Sequence, residues 1–399
     1  MRLSPFLLLC ITGLFAIFSS TISKSPVLPL FAAHLGADPS GVGFVAAVSA
    51  FTGVVFSIPA GILSDRFDKR KMLILSSCVF STVPFLYLAV TQIWQLAVVR
   101  FFHGFATAIF IPVAMALVSE LFHEERGEKM GWFSTATLFG RFMAPIIGGS
   151  IIGALAFNPG LAYKTVYIVC GLAGTVTFLL TIIIPQSETP QHENQAWGDT
   201  VETFRTVFSN KAILITCAVE AAILFAYGTF ETFLPLYSVR NGLSPYAVGI
   251  LLSAQVITLA LSKPIMGRFS DRHGRRPQIF TGALIAAACI GIFSLFRSFI
   301  PLLALSIAFG FSLSIVTSAS SAYVADLSSR EARGSAMGLL GSIMDMGHTT
   351  GPLVSGFVAA YSGFGMAFKG ASLVLAVAAF VFWMRRGIKL KSCLNKEER

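Results

Sequence analysis

Long apolar runs separated by short polar punctuation make up most of this chain. They fall near residues 5–30, 41–63, 72–91, 95–119, 130–157 and 163–185, and again near 212–237, 245–267, 278–296, 300–324, 335–360 and 366–384. Each is close to the roughly 20 residues that carry a helix across the hydrocarbon core of a bilayer. Lipid offers backbone N–H and C=O groups no partner, so runs of this length must satisfy those groups internally, as helices. The pattern predicts an all-α polytopic membrane protein with twelve transmembrane helices in two sets of six. The longest polar interval, Gln186 to Lys211, divides the sets. It suggests an N-terminal six-helix bundle at 1–186, a cytoplasmic linker at 187–211, a C-terminal bundle at 212–385 and a basic tail at 386–399. Within the linker, Trp197 to Phe208 reads as a short amphipathic helix on the membrane surface. The first run is too long for a signal peptide and has a counterpart in the second half, so we read it as a helix of the fold.

Composition sharpens this. Of 399 residues, 55% are hydrophobic and 12% charged, with a mean hydropathy of +0.77. A soluble protein has about a quarter of its residues charged. The formal charge of +10 does not form a nucleic-acid-binding face, because the basic residues sit between apolar runs. With the N-terminus placed in the cytoplasm, 21 Lys and Arg fall on the inner side and 4 in outer loops. That asymmetry predicts both termini inside. Five cysteines lie in apolar runs and Cys393 in the tail, without metal-ligand or redox spacing. Nothing resembles a nucleophile–base pair or a nucleotide loop. We therefore expect no enzyme, no cofactor, no metal and no nucleic-acid partner.

The chain also repeats itself. At an offset of 206, Leu28-Pro29-Leu30 matches Leu234-Pro235-Leu236, Gly36, Pro39 and Gly43 match Gly242, Pro245 and Gly249, and Gly61, Asp65 and Arg66 match Gly267, Asp271 and Arg272. Gly104 matches Gly310 and Glu120 matches Asp326; beyond one inserted residue, Gly131, Gly140, Pro145 and Gly149 match Gly338, Gly347, Pro352 and Gly356. Two related six-helix bundles follow. GILSDRFDKRK at 61–71 and GRFSDRHGRR at 267–276 resemble the duplicated loop signature of the major facilitator superfamily, whose paired repeats are a known architecture. The first copy departs from it with Asp68 in place of the usual Gly, while the second keeps Gly274. Leu96-x3-Arg100-x2-His103-Gly104 resembles the fourth-helix signature of proton-coupled members. Gly131-x8-Gly140-x3-Ala144-Pro145-x2-Gly148-Gly149 resembles the fifth-helix pattern of proton antiporters, with Ala144 replacing a Gly. Together they resemble the twelve-helix drug:proton antiporter branch.

That resemblance implies a secondary active transporter working by alternating access. It would be a proton-coupled antiporter exporting a small amphipathic, neutral or anionic compound from the cell (inner) membrane, and monomeric. A proton symporter or facilitator importing a sugar or organic acid, and a transport-inactive receptor or scaffold, are the competing readings. By the same analogy, Asp65, Arg66, Lys69, Glu120, Asp271, Arg272, Arg275 and Asp326 form a cytoplasmic gate, with Lys69–Glu120 and Arg275–Asp326 able to pair. Gly140, Pro145, Gly148, Gly149, Gly347, Pro352 and Gly356 should allow close packing and a kink. Ionisable residues inside membrane spans are functional candidates in their own right. Counting along the runs puts Arg141, Glu220, Asp345 and His348 near mid-depth, Lys24, Arg100 and Glu231 in the outer third, and Lys263 near the cytoplasmic end. Arg100, Arg141, Glu220, Asp345 and His348 are the candidates for substrate or proton coupling. Arg141 and His348 are repeat mates, and Asp345 shares a helix face with His348. Glu231 is the repeat mate of Ser25, one residue from Lys24, so Lys24 and Glu231 are candidates for an outer gate.

Overall fold

The computed structural model describes residues 4–66, 68–122, 125–184, 209–328 and 332–385. The amphipathic helix expected at Trp197 to Phe208 and the tail at 386–399 lie outside the described residues, as do the side-chain surroundings of Gly61, Asp65 and Arg66. The helices are α1 (Pro5–Ile22), α2 (Val27–His34), α3 (Pro39–Arg66), α4 (Lys69–Leu86), α5 (Ile93–Leu121), α6 (Arg126–Ala154) and α7 (Pro159–Ile183). After the polar interval come α8 (Lys211–Arg240), α9 (Pro245–His273), α10 (Arg275–Ile292), α11 (Phe299–Asp326) and α12 (Arg333–Met384). No strand occurs among the described residues.

Local chemistry starts these helices where it should. Ser4, Asn158 and Ser244 precede Pro5, Pro159 and Pro245, and their side chains accept the backbone N–H of Leu7, Leu161 and Ala247 at 3.2, 3.1 and 3.2 Å. Proline loses nothing at a first helical position, where its missing N–H would have no partner. Gly36 and Gly242, repeat mates, follow α2 and α8 with φ of 88° and 87°, a left-handed conformation that suits residues without a Cβ. The departure at Asp68 has a physical reason. Gly274 joins α9 to α10 at φ 89°, whereas Asp68 takes φ −57° and caps α4, its carboxylate accepting Arg70 N–H at 2.8 Å.

One element differs from the simple run count: the first run is interrupted at Ser23–Pro26, which divides it into α1 and α2. The last two runs are two helical stretches that meet at the non-helical Gly363 (φ 81°, ψ 167°) and carry the single label α12. Counting α1 with α2 and α12 once, 11 helices among the described residues are long and apolar enough to cross a membrane.

Packing repeats as the sequence does. α1 lies on α6 as α8 lies on α12; α3 lies on α5 as α9 lies on α11; α4 lies on α7 as α10 lies on α12. The halves meet along α3 with α12 and α6 with α9, two seams that are themselves repeat mates. Glycine permits the tightest approaches. A Cβ at Gly104 would press on Ser49 of α3, and one at Gly310 on Gln255 of α9, which is the mate of Ser49. Large apolar side chains such as Leu75, Leu172, Leu261 and Ile300 stay exposed on the perimeter, where lipid is their solvent.

At Gly174 of α7 a Cβ would overlap the Phe80 carbonyl of α4. Gly174→Ala is expected to destabilise the protein by about 1–3 kcal/mol through overpacking, read as a lower melting temperature in detergent. Gly370→Ala, with nothing within 4 Å, should not lower that temperature, since an unhindered alanine favours the helix.

Candidate functional site

A cavity of about 510 Å³ opens between the halves, lined by α1, α3, α5 and α6 on one side and α8, α9 and α12 on the other. Its ionisable lining residues are Lys24, Arg141, Glu231, Asp345 and His348, with the Tyr227 phenol beside them. Glycines place two of these. Gly140 sits against the Leu14 carbonyl of α1 and turns Arg141 into the cavity, while Gly347 sits against the Ala221 carbonyl of α8 and does the same for His348. Asp345 reaches across to α3, where a Cβ at Gly53 would lie 3.2 Å from its carboxylate.

At one end of the cavity three groups converge. Lys24 Nζ lies 2.7 Å from Glu231 Oε2, and His348 Nε2 lies 3.1 Å from the same oxygen and 3.2 Å from Lys24 Nζ. His348 Nε2 can donate to Glu231 only when it carries a proton, and can accept from Lys24 only when it does not. The imidazole thus has two exclusive hydrogen-bonding states at this contact. The seams beyond are closed by backbone. A Cβ at Gly43 would overlap the Pro352 carbonyl, and one at Gly356 that of Pro39; on the other seam, Gly249 faces Pro145 and Gly149 faces Pro245 in the same way. Ser253 adds a hydrogen bond to the Phe142 carbonyl at 2.8 Å, from α9 to α6. Gly148 instead packs on side chains of its own half, Val27 and Ile22.

The opposite end, near Lys69 and Arg275, is built differently. Lys69 pairs with Glu120 at 3.2 Å, joining α4 to α5. Arg275 holds Asp326 of α11 at 2.7 Å and Asp271 at 2.6 Å, and donates to Ser270. Each pair lies within one half, and Arg272 is exposed. Glycines here have room to spare: nothing lies within 4 Å of a Cβ built at Gly131, Gly267 or Gly338.

The remaining candidates sit outside the cavity. Arg100 is 2% exposed inside the first half. It donates to Ser23 at 3.0 Å, Ser49 at 2.8 Å and Tyr87 at 3.5 Å, and so ties α1 to α3 and α5. Glu220 is fully buried between α8 and α11. Ser320 Oγ lies 2.7 Å from Glu220 Oε2 and 2.8 Å from the Val316 carbonyl. A hydroxyl has one proton: if it goes to the carbonyl, the carboxyl must be protonated to donate to Ser320, and if the carboxyl is ionised the hydroxyl turns to it. Glu220 Oε1 has no partner among the described residues.

Sequence reasoning overlooked Thr21, Ser49, Tyr227 and Gln255, all of which line the cavity. The repeat register held the signal: Tyr227 is the mate of Thr21 and Gln255 that of Ser49, so the same positions face inward in both halves.

Comparison with known proteins bears on this geometry. The Major Facilitator Superfamily profile matches twice, over residues 9–247 and 238–399. The chain belongs to the Major Facilitator Superfamily. It is therefore a multi-pass membrane transporter and not an enzyme. It is 25% identical to an uncharacterised MFS-type transporter of Methanocaldococcus jannaschii, over 90% of this chain and 93% of that one. It is 25% identical to a multi-drug resistance efflux pump PmrA homologue of Lactococcus lactis (92% and 91%), and 26% identical to multidrug resistance protein MdtG of Klebsiella pneumoniae (85% and 83%). Among solved structures, a bacterial homologue of the human lysosomal transporter Spinster, inward-facing and unoccupied, matches with a TM-score of 0.81 at 15% identity, over 95% of this chain and 96% of that one. The nucleoside transporter NupG matches at 0.77 and 17%, over 96% and 99%. These likenesses are of fold.

Lys24→Glu alone or Glu231→Lys alone places like charges at 2.7 Å and should cost about 2–5 kcal/mol. The double exchange should be more stable than either single variant, measured as thermal unfolding in detergent. A double exchange no better than the worse single would show that the two charges do not stabilise one another.

Proposed function

We propose that this protein is a proton-coupled antiporter that exports a small amphipathic compound by alternating access. The observation that carries the proposal is the asymmetry between the ends of the central cavity. At the Pro39/Pro245 end, backbone meets backbone at four glycines and Lys24, Glu231 and His348 bridge the halves. At the other end every ion pair described stays within its own half, and three glycines face open space. Room reserved at glycine positions on the open end is what a second, mirror-image closure would occupy. Packed interfaces are bistable, so a rocking motion can trade one closure for the other. Read with Gly363 as the break between two spans, the chain has twelve helices in two bundles of six, at 1–186 and 212–385. With both termini in the cytoplasm of a bacterial-type inner membrane, the closed end is the outer one and the structure faces inward. Asp65 and Arg66 then join the contacts that close the inner side.

Proton coupling needs a carboxyl that loads and releases a proton within the membrane. Glu220, with its hydroxyl partner Ser320 able to hydrogen-bond either protonation state, meets that need, and Asp345 is the carboxyl that faces the cavity itself. Moving such groups between dry and wet surroundings, or toward and away from an arginine, changes their proton affinity. Export rather than import is favoured by the relatives named as multidrug efflux proteins.

Purified protein in liposomes with an imposed pH gradient, screened against a substrate panel, tests the proposal. Glu220→Gln and Asp345→Asn are each expected to abolish uphill movement while the protein stays folded. Wild-type rates in both single variants and in the double variant would refute the assignment.

A second pair of variants probes alternation. Gly43→Leu collides with Pro352 in the closed seam. A Cβ at Gly131 meets nothing within 4 Å in this conformation, so Gly131→Leu is expected to act chiefly when the other end closes. Both should reduce transport at least about tenfold, with only Gly43→Leu lowering the melting temperature. Transport at the wild-type rate in Gly131→Leu would argue against a second closure.

A further inference from the structure

The charges around the cavity do not cancel evenly. Lys24 and Glu231 neutralise one another at the closed end, and His348 shares their contact. Arg141 on α6 and Asp345 on α12 form no ion pair among the described residues, though both line the cavity. One wall thus presents a guanidinium and the opposite wall a carboxylate, neither of them in an ion pair among the described residues. They do not meet. A charge facing a partly desolvated space is costly unless a counter-charge or water reaches it, and a ligand that displaces the water must supply the counter-charge itself.

We propose that the cavity selects amphiphiles carrying both an anionic and a cationic group, the anion held by Arg141 and the cation by Asp345. The inference rests on reading this cavity as the transport site. Arginine presents a planar fork suited to a carboxylate, sulfonate or phosphate, and a carboxylate is the natural acceptor for an ammonium group. A ligand with only one charge leaves the opposite wall desolvated and unpaired, which turns the two residues into a filter by exclusion as well as attraction. A net-neutral dipolar ligand also leaves the Lys24–Glu231–His348 contact undisturbed, whereas a net ion alters the field on it. The body of the ligand has apolar surface to lie on: Ile111 and Pro112 of α5 face Leu224 of α8 and Leu252 and Val256 of α9 across the cavity, and the Tyr227 ring offers a stacking face. At about 510 Å³ the space suits a compound with one fused ring system and a short chain, within the range of small-molecule sites. Asp345 then has two competing cations, the ammonium group of the ligand and a proton. Arrival of either displaces the other, which is the exchange an antiporter requires.

Three fluorescent probes that differ by one charged group each test this on the full-length protein in detergent. Nα-dansyl-lysine carries a carboxylate and a separate amine; dansylcadaverine is the same molecule without the carboxylate; Nα-dansyl-norleucine lacks the amine. The wild type is expected to bind Nα-dansyl-lysine about tenfold more tightly than either of the others. Arg141→Gln should remove that advantage over dansylcadaverine, weakening Nα-dansyl-lysine and, with the unpaired guanidinium gone, not weakening dansylcadaverine itself. Asp345→Asn should remove the advantage over Nα-dansyl-norleucine, weakening Nα-dansyl-lysine and not Nα-dansyl-norleucine. Arg141→Lys and Asp345→Glu should restore part of each. Equal binding of all three probes by the wild type, no binding of any, or a variant that weakens all three alike overturns the inference. Transport in liposomes keeps the two readings apart. Discriminating binding without gradient-driven movement refutes proton-driven export but leaves the selectivity standing. Uphill movement of the probes without discrimination supports export and refutes the selectivity.

Discussion

Nothing larger than glycine fits at four of the points where the two halves of this chain touch. Gly43, Gly149, Gly249 and Gly356 each bring a helix against a carbonyl at or next to a proline of the other half. Those contacts set the angle between the halves, and with it the shape of the cavity they enclose. In lipid there is no hydrophobic force to draw helices together, so close packing of small residues must do it. A closure made this way is either complete or absent: a seam of backbone on backbone cannot be half formed without losing most of its dispersion energy. The proposed alternation between two arrangements draws on the same residues that pack the structure.

The polar groups depend on that closure. Lys24 and Glu231 belong to different halves and come to 2.7 Å only because the seams beside them are shut. His348 shares the contact and has two exclusive ways of hydrogen bonding within it. By contrast Arg100 and Glu220, buried more deeply, are held inside single halves by hydroxyls of Ser23, Ser49 and Ser320. Arg100 therefore ties the framework of the first half together, while Glu220 lies away from the cavity, with Ser320 as its hydroxyl partner. Arg141 and Asp345, left unpaired on facing walls, are the groups with most to offer a ligand.

Much of this was legible in the residues, and the reason is the repeat. Apolar runs of membrane length predict helices because lipid allows little else, and the register at offsets of 206 and 207 brings Arg141 and His348 to matching depths. The meeting of Lys24 with Glu231 was legible from the same register, one residue away. Other features were not. The break at Ser23–Pro26 depends on turn geometry that hydropathy does not record. Tyr227 and Gln255 carry no charge and so did not stand out, although their mates Thr21 and Ser49 face the same space. Hydropathy also cannot tell whether Lys69 finds Glu120 within its own half or a partner across the cleft; here it is the former.

The most direct measurement follows both ends of one helix pair. Spin labels at Ala154 and Tyr246 report on α6 and α9 at the closed seam, and labels at Gly127 and Arg272 report on the same two helices at the open end. All four positions are exposed, and the measurement uses cysteine-free protein in liposomes, with and without a pH gradient. The expected result is two populations in which the first distance lengthens as the second shortens. Distances that stay fixed at both ends, or that lengthen together, would contradict alternating closure of the two seams.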